Sequence, residues 1–248
     1  MPILPDLCDS EGWLRIGAIA TLVDSAAGSF SVREVTPDWV ATLALGTVLH
    51  RRAEGEIVTA TCRPIRIGRN NVTTETMIWD DDVDGTTGTK RASAVASAIC
   101  TYARLPGRED NPSTSGRDRA VIDYAEADEE ARVPIDDYLR LVREPEAPII
   151  TLDHHSRIHN SFGSIQGGAV VMMVEAAAVH AAELVWGRPA RCVDTQVTYL
   201  AQSKGGPFRV SAEMVRDDGA ASSVRVEIVD VGHSDRLLDV ATATIVPA

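Results

Sequence analysis

Asn160-Ser-Phe-Gly-Ser-Ile-Gln-Gly-Gly168 opens onto Ala169-Val-Val-Met-Met-Val-Glu175-Ala-Ala-Ala178, an apolar run that continues to Ala182 with no proline between Gly168 and Gly187. Alanine, valine and methionine over that length read as a largely buried helix. The glycines at its mouth let a ligand approach the backbone closely, where a helix N-terminus presents unpaired N–H groups and positive potential. Glu175 is the single acid within 169–178, and a carboxylate there is costly unless it has a partner or a task. Taken alone, the stretch also fits a core helix with a glycine-rich start and one tolerated acid.

An internal repeat argues for more. A shift of 151 lays Gly12 on Gly163, Gly17 on Gly168, Ala18 on Ala169 and Asp24 on Glu175, so Leu14 to Asp24 is a second copy of the same helix entry. A shift of 150 lays Val72 to Asp80 on Ser222 to Asp230, and a shift of 145 lays Val95-Ala-Ser-Ala98 on Val240-Ala-Thr-Ala243. Three blocks in one order, with small changes of offset, indicate duplication; two copies are too few for a solenoid and predict paired domains.

The whole chain fits that plan. Its 248 residues suffice for two ordinary domains, and a 44% apolar share is that of a globular protein with a core. A net charge of −12 disfavours nucleic acid as a partner, because an acidic surface repels phosphate. Cys8, Cys62, Cys100 and Cys192 are widely spaced, without ligand-like pairing or a signal-peptide pattern, and are expected to be reduced in the cytoplasm. The apolar runs are interrupted by charge or too short to span a bilayer, so no membrane association is expected.

The first helix is expected over 16–32, after a short irregular start at 1–12. Threonine- and valine-rich runs predict strands at 41–50, 56–66, 71–79 and 93–102, with turns at Gly55, Gly68, Gly85 and Gly88. The second copy repeats this: a leading strand at 149–158, a helix at 168–185, then strands at 191–200, 208–216, 222–230 and 237–246. One helix wrapped by an antiparallel meander is an α+β arrangement. The expected boundaries are an N-terminal domain at 1–105, an acidic linker with short helices at 106–145, and a C-terminal domain at 146–248. Two such copies can join edge to edge into one sheet, with both helices on its concave side.

Asn160-x-x-Gly163-x-x-Gln166-Gly-Gly168, followed by an apolar helix with an acid at 175, resembles the hotdog-fold thioesterases, in particular their PaaI-like branch. The resemblance covers both copies and implies a tandem double hotdog, each unit a long central helix wrapped by an antiparallel sheet. That family's pattern has histidine where Gln166 stands. Glutamine donates a hydrogen bond but shuttles no proton, and it takes this place in related hotdog branches. The resemblance further implies an acyl-CoA substrate, hydrolysis without cofactor or metal, and assembly as a dimer of double hotdogs.

Thioester hydrolysis needs a donor on the carbonyl oxygen and a carboxylate that activates water or attacks directly. The N–H near Gly167, at the helix mouth, is a suitable donor. Glu175 cannot serve the same carbonyl, because eight residues of helix place it roughly 12 Å down the axis. The acid must come from the other, antiparallel helix, and that acid is Asp24. The resemblance adds a hydroxyl eighteen residues after the acid, which falls on Thr42 after Asp24 but on Val193 after Glu175. Site one thus combines Asn160, Gln166 and Gly167 with Asp24 and Thr42. Site two would combine Arg15 and Ile16 with Glu175 and Val193, has Asp9 in place of the asparagine, and reads as degenerate.

Substrate contacts are expected from Gly168, and from Arg63, Arg66 and Arg69 if these meet the phosphates of coenzyme A; they also fit a charged sheet edge. Small residues such as Ala20, Ala27, Ala169 and Ala176 are expected to line a pocket between the helices. His154, His155 and His159 would not form a three-ligand metal set on a strand, where 154 faces away from the other two. The Asp80-Asp-Asp-Val-Asp84 run reads as a solvated turn without EF-hand spacing, and no Gly-x-Ser-x-Gly elbow is present. Two functional classes stay open: an acyl-CoA thioesterase using Asp24 as general base or nucleophile, and a non-catalytic acyl- or CoA-binding hotdog protein that has lost turnover.

Overall fold

The structure is a computed structural model, in which residues 1–80, 94–107, 133–160, 162–203 and 205–248 are described. The first copy comprises helix α1 (Ile16–Val35) and strands β1 (Trp39–Leu49), β2 (Val58–Ile67), β3 (Asn71–Asp80) and β4 (Ala96–Leu105). A short helix α2 (Ile135–Tyr138) and strands β5 (Val142–Arg143) and β6 (Ile149–Leu152) lead to the second copy. That copy has helix α3 (Gly167–Trp186) and strands β7 (Ala190–Tyr199), β8 (Phe208–Asp217), β9 (Ser222–Asp230) and β10 (Arg236–Pro247).

The strands form one sheet in the order β2-β3-β4-β1-β7-β10-β9-β8-β6-β5. The copies join where β1 pairs antiparallel with β7, Ala44 opposite Thr198 and Val48 opposite Asp194. On β9 the alternation places Val224, Val226 and Ile228 in the core while Ser223, Arg225 and Glu227 face outward. Both helices lie against the same face of this sheet, so the chain is an α+β tandem of two hotdog units sharing one core.

The two helices run antiparallel and very close. A Cβ on Gly17 would stand 2.7 Å from the Cα of Met172, and one on Gly168 would stand 2.4 Å from the Cα of Thr21. These two glycines, paired by the repeat, are what permits the approach. The small residues expected to line a pocket serve this contact instead: Ala20, Ala27, Ala169 and Ala176 are packed in the core and line neither of the two cavities described below.

The 151-residue offset persists atom by atom at the helix mouths. Asp9 Oδ1 accepts the N–H groups of Glu11 and Trp13, as Asn160 Oδ1 accepts those of Phe162 and Ser164. Gly12 and Gly163 take the positive φ each turn requires, +76° and +72°. Arg15 N–H donates to Leu7 O and Gln166 N–H to Ile158 O.

Other expectations need correction. The strand expected over 149–158 ends at Leu152, because Ser156–Ile158 turns into a 3₁₀ helix. The histidines therefore do not alternate: His154 and His159 stack with ring centroids 4.1 Å apart, while His155 bonds the Leu139 carbonyl at 3.1 Å. Residues 81–93, which hold most of the aspartate run and the turns at Gly85 and Gly88, and residues 108–132 of the linker lie outside the described residues. Asp80 itself pairs with Arg51 at 2.7 Å. Of the linker, Ile135 of α2 and Leu139 just after it are buried in the common core, and β5 pairs with β6.

Candidate active site

Neither long helix has a side-chain N-cap; the preceding residues, Arg15 and Gln166, make no capping bond. The orphan N–H groups are met instead by a carboxylate from the middle of the opposite helix. Glu175 accepts from Ile16 N at 3.2 Å and Gly17 N at 3.1 Å. Asp24 stands in the same relation to Gly167 and Gly168, whose N–H groups act on its carboxylate. A Cβ on Gly167 would be 2.9 Å from Asp24 Oδ2, so only glycine leaves room for this contact.

Around Asp24 the structure gathers several of the expected residues. Thr42 Oγ1 donates to Asp24 Oδ1 at 3.1 Å. Asp24, Thr42, Asn160 and Gly167 all face a cavity of about 490 Å³. This cavity is bounded by the second half of α1, Gly167 and Val170 of α3, strands β1 and β4, Leu238 and Asp239 of β10, and the 160–165 and 199–203 segments. Trp39 and Phe162 meet edge to face across one wall, centroids 5.6 Å apart. Ser164 and Ser203 exchange hydrogen bonds that hold the 199–203 segment in place. Burial raises the Asp24 pKa above the ordinary carboxylate value, opposed by the hydrogen bonds from Thr42, Gly168 and Gly167.

Several expected groups are elsewhere. The Gln166 side chain is not part of the cavity wall and makes no hydrogen bond to any described residue. Its backbone is committed on both sides, to Ile158 O and Val170 N, which fixes it as the residue before the helix. Gly168 also lies off the wall, pressed against Thr21. The Asn160 amide is spent on its own turn, with Nδ2 3.4 Å from Ile165 O. Arg63, Arg66 and Arg69 lie on or just beyond β2, the strand farthest from the β1–β7 junction on that side, where Arg63 pairs with Glu75 at 2.5 Å. None of the three lines the cavity.

Three cavity residues escaped the sequence reading. Tyr199 donates to Gly167 O at 2.8 Å, Tyr102 Oη lies 3.5 Å from Asp24 O, and Asp239 is a second acid in the wall. An acid inside the apolar β10 run was a usable signal for Asp239; the tyrosines carried none beyond strand composition.

Site two has the same frame with different contents. Arg15 Nε lies 3.4 Å from Glu175 and its Nη1 2.6 Å from Asp136, which also pairs with Arg143. Asp9 pairs with Arg191 at 2.5 Å, and Arg191 lies over Trp13 at 4.4 Å. Burial would lower the Arg15 pKa, but Glu175 and Asp136 more than offset this and hold it charged. A cavity of about 220 Å³ remains, walled by this charged cluster. Val193 offers no hydroxyl to Glu175.

The family profile described as "Thioesterase superfamily" matches residues 16–86, and that described as "Acyl-CoA thioesterase N-terminal domain" matches residues 156–247. Each half of the chain thus belongs to the hotdog-fold thioesterase superfamily, and the protein is a tandem thioester hydrolase of that class. Among solved structures it is similar to an acyl-ACP thioesterase from Bacteroides thetaiotaomicron, with 15% identity over 99% of this chain and 95% of that one at a TM-score of 0.63. It is also similar to a 12:0-ACP thioesterase from Umbellularia californica, with 11% identity over 100% and 92% at a TM-score of 0.64. A third is a tesB protein from Mycobacterium avium subs paratuberculosis, with 10% identity over 98% and 90% at a TM-score of 0.63. At these identities the likeness is one of fold. No curated protein matches the sequence.

Proposed function

We propose that site one is the hydrolytic centre of an acyl-CoA thioesterase of the PaaI-like branch, with Asp24 as its base or nucleophile. The observation that carries this reading is a carboxylate held at a helix N-terminus, bonded to Thr42 at 3.1 Å and open to a cavity of about 490 Å³. That volume suits an acyl group, since small-molecule sites run from about 300 to 1,000 Å³. Asp24 and Asp239 are the charged residue types in the wall, with no lysine or arginine among the described lining residues. The polyanionic carrier therefore stays outside while the acyl chain enters.

In the ligand-free chain the Gly167 N–H serves Asp24. When the thioester oxygen takes that N–H, the bond polarises the carbonyl and Asp24 loses one of its stabilising donors, so its carboxylate becomes more basic as the electrophile arrives. A water held by Asp24 and Thr42 then adds to the carbonyl carbon as Asp24 removes its proton. The tetrahedral intermediate expels the thiolate by breaking the C–S bond, and Asp24 returns the proton to sulfur. In the nucleophilic variant the carboxylate itself adds, and water cleaves the resulting anhydride. Tyr199, bonded to Gly167 O, holds the helix mouth steady in either case.

Turnover of an acyl-CoA panel by wild type and Asp24→Asn tests this; hydrolysis by the variant at the wild-type rate would sink it. A single turnover in ¹⁸O-water separates the routes, since only the nucleophilic one leaves label in Asp24. Presenting the same acyl groups on acyl carrier protein tests the choice of carrier. A cytoplasmic location and pairing of double hotdogs belong to the same proposal, checked by fractionation and light scattering.

A further inference from the structure

Asp239 sits on β10 opposite Tyr199 of β7 and Ile228 of β9. A bulge at Leu238 shifts the register between Leu237 and Asp239, and the Leu238 carbonyl accepts the N–H groups of both Leu200 and Ala201. The bulge breaks the inward–outward alternation, so that Leu238 and Asp239, consecutive residues, both face inward at 1% and 3% exposure. Asp239 is thereby aimed into the cavity of site one. No described residue bonds or pairs with its carboxyl group.

A packing role does not account for it. An apolar residue would fill the wall without the penalty of burying an unpartnered carboxyl. Burial pushes its pKa up to about 8, so near neutral pH it is a carboxylic acid with one O–H to donate and a carbonyl to accept. It is separated from the reacting end by Tyr199, which lies in the field of both Asp24 and Asp239 and bonds Gly167 O at 2.8 Å. Its neighbours along this wall, Leu200 and Leu238, are apolar. A plain alkyl chain against this wall would leave the Asp239 donor unmet, at the cost of a buried unsatisfied group.

We propose that Asp239 is a specificity residue of this cavity, recognising a hydroxyl or keto oxygen on the acyl chain, so that the preferred substrates are oxygenated acyl thioesters rather than plain alkyl ones. This rests on site one being the hydrolytic centre. A site built to bond a substrate oxygen discriminates strongly against the analogue that lacks it, because its own polar group is then left unpaired.

The test uses acyl-CoA pairs of equal chain length, with and without a hydroxyl or keto group at successive positions. Wild type should favour one oxygenated member at least about tenfold in kcat/KM. Asp239→Leu should bring that ratio near unity, with a melting curve compared to wild type reporting that the variant is folded. Asp239→Asn, still a donor, should keep part of the preference. A wild type indifferent to every oxygen, or an unchanged ratio in Asp239→Leu, overturns the proposal. The same pairs prepared as non-hydrolysable thioethers, with Kd read by calorimetry, keep the two readings apart. If nothing is turned over, the hydrolase reading fails, and the Kd ratios in wild type and Asp239→Leu still decide for or against Asp239.

Discussion

Asp24 and Glu175 occupy the same turn of two helices related by the repeat, and each serves N–H groups in the first turn of the other helix. Asp24 faces an open cavity and a threonine hydroxyl; Glu175 faces Arg15 and Asp136 at 3% exposure. Capping is therefore a structural duty that both acids perform, and under the proposed function it is not what would make Asp24 the reactive one. Reactivity needs empty volume beside the carboxylate and a hydroxyl to place water. Site two has Val193 in place of the threonine and a cluster of compensating charge about Glu175, and its cavity of about 220 Å³ is less than half the volume of the one of about 490 Å³ beside Asp24.

The sharpest way to break this contrast is to neutralise each acid. Asp24→Asn should lower kcat by about 10³-fold, within the usual range for a positioned acid–base group, while Glu175→Gln should stay within about threefold. Equal losses in an acyl-CoA assay would overturn the one-site assignment. Stability should respond in the opposite sense. Glu175→Gln leaves Arg15 and Asp136 with an incomplete buried cluster and should cost about 3 kcal/mol in denaturant unfolding, whereas Asp24→Asn should be neutral or stabilising.

The helix approach gives a third pair. Gly168→Ala drives a Cβ to 2.4 Å from the Thr21 backbone and should destabilise by about 1–3 kcal/mol. Gly167→Ala meets the Asp24 carboxylate first, at 2.9 Å, and should damage turnover more than it damages melting temperature. Thr42→Val should reduce kcat about tenfold, the loss of one hydrogen bond of roughly 1.4 kcal/mol, and Val193→Thr should change nothing measurable.

The smallest effects concern pH. Burial raises the Asp24 pKa and the Thr42 bond lowers it, so the acid limb of kcat/KM should lie above the ordinary carboxylate range and rise further in Thr42→Val. Asp239 is raised from 3.8 to about 8. Between those values the native state holds the proton and the unfolded state does not, so stability falls as pH rises through that window. Asp239→Asn should flatten this slope in a pH series of melting curves; an unchanged slope would remove Asp239 from the account.

Much of this was legible in order along the chain. The Gly17/Gly168 and Asp24/Glu175 correspondences located both helices to within three residues at their ends, and the antiparallel relation followed from asking which acid could reach the Gly167 amide. The place of the cavity was not legible. Small residues on the helices suggested a pocket lined by Ala20, Ala27, Ala169 and Ala176, yet these are packed in the core, and the cavity opens beside them, toward β1, β4 and the 160–165 and 199–203 segments. The histidines misled for a local reason: the 3₁₀ turn at Ser156–Ile158 cancels the strand alternation assumed for them. Arg63, Arg66 and Arg69 lie at the charged sheet edge that their sequence also fits, three strands from the junction.

The sequence by itself determined the duplication, the hotdog architecture of each copy and the inequality of the two sites, because these depend on residue identity at matched positions. Only the tertiary structure decided that Gln166 stands off the wall, that Asp136 from the connecting segment completes the charge cluster of site two, and that Asp239 looks into site one. Each of these turns on a long-range approach or a single-residue bulge, and neither leaves a period in the chain for a reader to find.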